Sequence, residues 1–315
     1  MSLNAPLPAW QGRFFVAGGG DAAARGFDRS GDWARLFEIG IQATPGGGAM
    51  SETENPATPP SEETPFVAPC RELTNGAPFR WLGAGWRDLT AAPGQSLAWG
   101  VFVLALSWGV SLLAYGLGRY MLLLSVLSGF VFIGPLLAVA LYSISSQLER
   151  GRVPTFQRSL LEARRHLSNC MVFALVLLVI FLVWARAASM VHVFFPVEAD
   201  PDWRALARFL AIGSAVGSIF AAITFAASAF SLPMIMDRKV DTVTAVVTSV
   251  NATLRNKRVM AIWIGLIVLC VAVGFATAFI GMVVLFPLIG HATWHSYRET
   301  IDASAWSRHD APGVA

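Results

Sequence analysis

A pattern used three times constrains this chain more than any other feature. An amphipathic stretch leads into a long apolar region. The last part of that region carries a Pro followed by two apolar residues: Pro135-Leu136-Leu137, Pro233-Met234-Ile235 and Pro287-Leu288-Ile289. The amphipathic stretches hold Phe79, Leu82, Trp86 and Leu89, then Phe156, Leu160, Ala163 and Leu167, then Val243, Val246, Val250 and Leu254. Apolar residues three to four apart form one stripe along a helix. The pattern predicts an all-α chain of three units, each an interfacial helix followed by a transmembrane hairpin.

Hydrophobic residues make up 55% of the chain and charged residues 14%. Soluble domains carry about 25% charge. A hydrocarbon core of about 30 Å requires roughly 20 apolar residues per helix. Residues 95–117, 120–142, 169–195 and 205–236 meet that length. Residues 259–295 are too long for one crossing, and the sequence is expected to turn within residues 274–279. The expectation is therefore a six-helix transmembrane bundle with a threefold pseudo-repeat.

The distribution of charge orients these spans. Arg150, Arg152, Arg158, Arg164 and Arg165 follow the second, and Arg238, Lys239, Arg255, Lys257 and Arg258 follow the fourth. The segment after the third holds Glu198, Asp200 and Asp202 before Arg204 and Arg208. The positive-inside rule then puts both termini in the cytoplasm of a bacterial inner membrane. Cations at span ends read as lipid-facing rather than as a nucleic-acid surface. Arg186, alone well inside a span, is expected to snorkel toward the outer surface, and His192 reads as interfacial.

Residues 1–70 are rich in Gly, Ala, Pro, Ser and Thr and read as a disordered N-terminal tail. Met50 opens a different, acidic texture and is an alternative start. The membrane domain is expected over 71–302, with a short cytoplasmic tail at 303–315. Cys70, Cys170 and Cys270 are isolated and suggest neither a disulfide framework nor a zinc site. Residues 79–90, 159–167 and 244–254 are the three interfacial helices. Either their apolar stripes lie in the bilayer surface or they cap the bundle. Gly213 and Gly217 form a small-x-x-x-small pair suited to close packing, and Gly109, Gly116 and Gly118 can serve likewise.

Four separated motifs carry a resemblance. They are Trp81-Leu82-x-x-Gly85-Trp86-Arg87-Asp88, Gln147-Leu148-Glu149-Arg150-Gly151, Asp237-Arg238-x-Val240-Asp241, and Gly290-His291-Ala292-Thr293-Trp294-His295-x-Tyr297-Arg298. With these, residues 70–302 resemble the bacterial integral membrane proteins grouped as domain of unknown function 2189. The layout is similar to other six-helix bacterial membrane families. The resemblance implies a membrane fold and brings no established activity. Some relatives of this kind are labelled as a cytochrome oxidase subunit, but this chain lacks haem-ligand histidines spread over several mid-membrane helices.

Overlaying the three Pro motifs gives the best constellation for chemistry. Four residues beyond each Pro stand Val139, Asp237 and His291, and eight beyond stand Ser143, Asp241 and His295. Residues four apart share a helix face. If the second and third units pack side by side, Asp237, Asp241, His291 and His295 converge as ligands for a divalent metal, with Tyr297 and Arg298 in support. The alternative is that these residues mark the water boundary. No cofactor is firmly implied; a divalent metal is the one candidate.

The sequence has no Gly-x-x-x-x-Gly-Lys loop, His-Glu-x-x-His or Gly-x-Ser-x-Gly. Its spans lack the buried ionisable residues of a proton-coupled pump. Three functions remain in view. The first is a non-enzymatic inner-membrane protein that organises lipid or assists assembly of a membrane complex. The second is a permease or flippase-like carrier of an amphipathic solute. The third is a metal- or haem-binding membrane protein. The expected partners are the lipid bilayer and either a membrane-protein partner or a second copy, with no nucleic acid.

Overall fold

The computed structural model describes residues 65–116, 131–155, 157, 167–194 and 202–309. All belong to the contact unit that begins at Ser61. Among the described residues the architecture is all-helical, with two isolated β-bridges and no strand. The second interfacial helix, expected at 159–167, and the Met50 start lie outside the described residues, apart from Leu167.

The chain enters through an extended segment, residues 65–73, and then forms α1 (Ala77–Ala91) and α2 (Pro93–Gly116). Helical residues 131–137 hold Pro135 and lead past Ala138 into α3 (Val139–Glu149). Next come α4 (Leu167–Phe194) and α5 (Trp203–Ser228). A break at Ala229 and Phe230 separates α5 from the short α6 (Ser231–Asp237). The last three are α7 (Thr242–Arg255), α8 (Lys257–Ala276) and α9 (Met282–Thr300).

Among the described residues, five segments are long and apolar enough to cross a membrane: Pro93–Gly116, Val131–Glu149, Ser168–Val191, Trp203–Asp237 and Lys257–Ala276. The sequence led us to expect six. The difference lies in α9. Its apolar part, residues 282–290, reaches only about 13 Å at 1.5 Å per residue. A polar half follows, from His291 through Thr293, His295 and Arg298 to Thr300. The expected turn is present. α8 stops at Ala276, and Ala278 and Phe279 adopt φ of 49° and 68°. That conformation is uncommon outside Gly. The Phe279 amide donates to Gly274 O at 2.7 Å, and Trp108 Nε1 donates to Ala278 O at 2.8 Å.

The three prolines occupy different local settings. Pro135 precedes a break, Pro233 lies in the first turn of α6, and Pro287 is inside the continuous α9. Pro removes a backbone donor, so a first-turn position tolerates it better than an interior one.

α9 is the hub. It packs against α1, α2, α3, α6 and α8. Glycines set three of these contacts. A Cβ on Gly85 would stand 2.8 Å from Ala292 N, one on Gly100 would collide with Val283, and one on Gly290 would stand 3.0 Å from Leu141 Cβ. Gly213, Gly217, Gly109 and Gly116 face open space instead. The small-residue signal in the sequence therefore pointed away from the positions where helices touch.

α1 and α7 each turn a face of small and polar residues inward. On α1 the buried residues include Ala77, Ala84 and Gly85 together with Trp81 and Leu89; on α7 they are Thr242, Thr244, Ala245, Thr248, Ser249 and Ala252. Phe79 and Trp86 on α1, and Val243 and Leu254 on α7, project outward. The helices cap the bundle and also present apolar side chains outside it. The remaining exposed apolar residues sit on the long helices, for example Leu112, Leu182, Ile219 and Leu269.

Candidate functional site at the polar end of the bundle

The polar half of α9 is buried in protein rather than left in solvent. His291, Ser296, Tyr297 and Thr300 are fully buried, and Trp294 is nearly so. A buried polar group needs a hydrogen-bond partner. The partners come from α1, α2, α3 and α6, and for Ser296 and Thr300 from carbonyls of α9 itself.

His291 is held by two hydroxyls. Ser96 Oγ on α2 lies 2.9 Å from Nε2, and Ser145 Oγ on α3 lies 2.7 Å from Nδ1. A neutral imidazole donates from one ring nitrogen and accepts at the other, and a serine hydroxyl can play either part. Both serines are buried as well. The cluster ties three helices together. With both ring nitrogens on serines, no carboxylate orients this His as a general base, as an acyl-transfer triad requires.

One turn further along, His295 Nε2 lies 2.8 Å from Asp88 Oδ2 on α1. Beyond it, Glu299 accepts from Trp81 Nε1 at 2.7 Å and pairs with Arg80. Three polar contacts and the Gly85 approach thus fix α1 across α9.

Asp237, at the end of α6, is 2% exposed. Its Oδ2 accepts from Tyr297 OH at 3.0 Å, Arg298 Nη1 at 3.2 Å and Arg238 Nε at 3.0 Å, while Arg308 Nε stands 3.8 Å from Oδ1. Arg298 also reaches Glu149 at the end of α3, with Nε 3.0 Å and Nη2 2.8 Å from Oε1. Trp294 Nε1 donates to Glu149 Oε2 at 3.0 Å. α3 ends there because Gly151 takes a φ of 65°, and the Arg152 amide donates back to Gln147 O at 2.9 Å. A left-handed Gly just past the last turn is a common helix stop.

Asp241 caps α7, and its Oδ1 accepts from the Thr244 amide at 2.9 Å. Burial would raise its pKa, but hydrogen bonds from the Thr244 hydroxyl and amide and the Val243 amide outweigh that and hold it below the ordinary Asp value.

The four expected ligands therefore fall into separate groups. His291 lies with two serines, His295 with Asp88, Asp237 with a tyrosine and arginines, and Asp241 with its own helix N-terminus. No group of three or more His, Cys, Asp or Glu placed to hold a metal ion occurs among the described residues. Tyr297 and Arg298, expected in support of the four-residue set, both bond one of its members, Asp237. Sequence reasoning did not single out Ser96, Ser145 or Glu299. A serine in an apolar helix carries no periodic signal that would separate it from its neighbours.

The four sequence motifs, spread from Trp81 to Arg298, meet around α9. Residues 122–237 match the family of predicted integral membrane proteins named domain of unknown function 2189. It is the family that the motifs resemble. The match runs from the second span to Asp237, so it takes in Glu149 as well as Asp237 in the buried network. No curated protein and no solved structure matches the chain.

The C-terminal segment closes this end. Cys70 bridges to Ile301, Arg238 bridges to Arg308, and Arg238 Nη1 donates to Trp306 O at 2.7 Å. Ordered contacts begin before residue 71: Ala68 is buried, and its amide donates to Thr248 Oγ1 at 3.1 Å. Residues 65–70 and 301–309 thus pack on the membrane domain.

Proposed function

We propose that this chain is a non-enzymatic inner-membrane protein that organises lipid around a rigid, internally tied bundle. One observation carries the reading. The side chains capable of chemistry are engaged between helices, His291 by two serines and Asp237 by a tyrosine and arginines. What remains outside is a bare apolar surface on α2, α4, α5 and α8. Such a protein acts through its perimeter.

The bundle reads as three related units, with α9 completing the third hairpin as a half-polar sixth crossing. The packing of the interfacial helices supports this. α7, which opens the third unit, packs on α5 and α6, the second arm of the second unit. α1, which opens the first, packs on α9, the second arm of the third. Each interfacial helix so placed docks on the second arm of the preceding unit, in cyclic order. Basic residues at the polar end put that end, and both termini, in the cytoplasm.

The test is reconstitution of the full-length protein in vesicles. Acyl-chain order of a spin-labelled phospholipid should rise with protein content. A fluorescent phospholipid in the inner leaflet should stay protected from an external quencher. Rapid loss of that protection would replace this reading with a flippase-like carrier. Unchanged acyl order would remove the lipid-organising role.

A further inference from the structure

The corner where α7 meets α8 carries a cluster of positive charge that no carboxylate among the described residues pairs with. Arg255, Lys257 and Arg258 are all exposed and lie within four residues of sequence. Six acidic side chains elsewhere at this end are already engaged. Asp88 lies on His295, Glu149 on Arg298, Asp237 on three arginines, and Glu299 on Arg80. Asp241 and Asp302 accept from the amides of Thr244 and Ser304. No carboxylate among the described residues pairs with the three cations of the corner.

The corner is also built. Asn256, between the cations, is buried. Its Oδ1 accepts from the Leu73 amide at 2.9 Å, and its Nδ2 donates to Arg71 O at 3.1 Å and Ala252 O at 3.2 Å. These bonds fasten the elbow to the entering segment. Arg71 and Glu72 on that segment are one cation and one anion, so the segment adds no net formal charge to that of the elbow.

The surroundings are apolar. Leu254, next to Arg255, is 56% exposed, and Val243 on the same helix also projects outward. α8 begins at Lys257 and runs on as a candidate span with Val268 and Leu269 bare. A partner here must offer negative charge beside hydrocarbon. We infer that the α7–α8 elbow is a docking site for the headgroup of an anionic phospholipid, with Arg255, Lys257 and Arg258 on the phosphate and Leu254 against the acyl chains. The inference rests on the lipid-facing reading above and names the lipid class that this corner selects.

Native mass spectrometry of the full-length protein tests it, with the protein extracted from vesicles of equal phosphatidylcholine and phosphatidylglycerol. A cation near a membrane surface strengthens anionic-lipid attraction about fivefold. The wild type should retain phosphatidylglycerol over phosphatidylcholine by at least about tenfold. R255Q/K257Q/R258Q should lose that preference, while the charge-conserving R255K/R258K keeps it. R87Q, which removes an exposed cation on α1, should leave it unchanged. Raising the salt concentration should weaken the wild-type preference, since exposed charges are screened. Equal retention by the triple Gln variant would overturn the site, as would displacement of the lipid by millimolar inorganic phosphate or a preference lost equally in R87Q. The acyl-order measurement reads the broader function separately. Selective retention without any change in acyl order leaves the elbow standing and removes the organising role.

Discussion

α9 and the α4–α5 hairpin show two ways of making a helix in an apolar protein. α9 buries His291, Ser296, Tyr297 and Thr300 and gives each a partner on another element or within its own turn. In α4, Met171, Leu175, Val179, Leu182 and Val183 stay exposed, and in α5 Leu210, Ile219 and Ile223 do. α4 and α5 pack mainly on each other and, for α5, on α7. One region is specified largely by directional contacts among polar atoms; the other rests mainly on apolar packing, with Thr242 on Asn169 O and Ser249 on Ala226 O as its polar ties to α7. Within lipid no hydrophobic force distinguishes one apolar neighbour from another, so geometry must come from close packing and hydrogen bonds. Sites of change should matter according to which region they fall in.

The sharpest way to break this contrast is at Asp237. Asp237→Ala takes the acceptor from the buried Tyr297 hydroxyl and removes the buried anion from Arg238 and Arg298, which keep only Trp306 O and Glu149. Removing one partner of a buried ion pair costs about 3–5 kcal/mol. Leu182→Ala, at an exposed position in α4, should shift stability by no more than about 0.5 kcal/mol. Reversible unfolding in mixed micelles measures both. Equal losses would dissolve the distinction.

A second pair uses backbone approach. Gly85→Val drives a side chain into the Ala292 backbone, whereas Gly213→Val enters open space. Forcing extra atoms into a close contact costs about 1–3 kcal/mol, occasionally more. Thermal unfolding of detergent-solubilised protein should show a clear drop for the first and almost none for the second.

A third change concerns His291. His291→Ala leaves the Ser96 and Ser145 hydroxyls without their imidazole. An unsatisfied buried hydroxyl costs about 1–3 kcal/mol. Hydrogen exchange near residues 92–97 should accelerate in this variant, and no change there would mean that the serines find other acceptors.

The smallest expected effect lies at Asp241. Loss of an N-cap costs about 1 kcal/mol. The folded-state pKa of Asp241 is depressed, so its capping contribution is fully present above the ordinary carboxylate pKa. It falls away as pH drops through the lower, folded value. A stability titration of wild type against Asp241→Ala should show the gap closing on the acid side. A gap that stays constant to the lowest pH would mean the cap is neutral in origin.

The fold was largely readable because hydropathy and period are local signals. Five apolar spans, the turn near residue 276 and the outward apolar residues Phe79 and Trp86 on α1 and Val243 and Leu254 on α7 follow from short windows of sequence; the small and polar residues those two helices bury do not. The site was readable only in part. Asp237, His291 and His295 stood out as polar residues beside apolar runs, yet their partners did not. Ser96 meets His291 across 195 residues, and Trp81 meets Glu299 across 218. Periodicity says which side of a helix is greasy and nothing about which distant helix will face it. Nor does it say that the polar half of α9 is excluded from solvent, which follows from the helices packed around it.

The pairing of the first helix with the last has a consequence for how the protein is made. Trp81 leaves the ribosome 218 residues before Glu299. At roughly 5–20 residues per second this is a wait on the order of ten to forty seconds. Asp237 waits as well, for Tyr297 and Arg298, 60 and 61 residues downstream. During that interval the nascent chain carries an acidic group at the end of a newly inserted helix with its distant partners still unmade. Biogenesis must therefore hold the early helices in a provisional arrangement until α9 arrives. A chain cut short before Tyr297 would keep the five strongly apolar segments found among the described residues. It would still present to the quality-control proteases a bundle that had never locked.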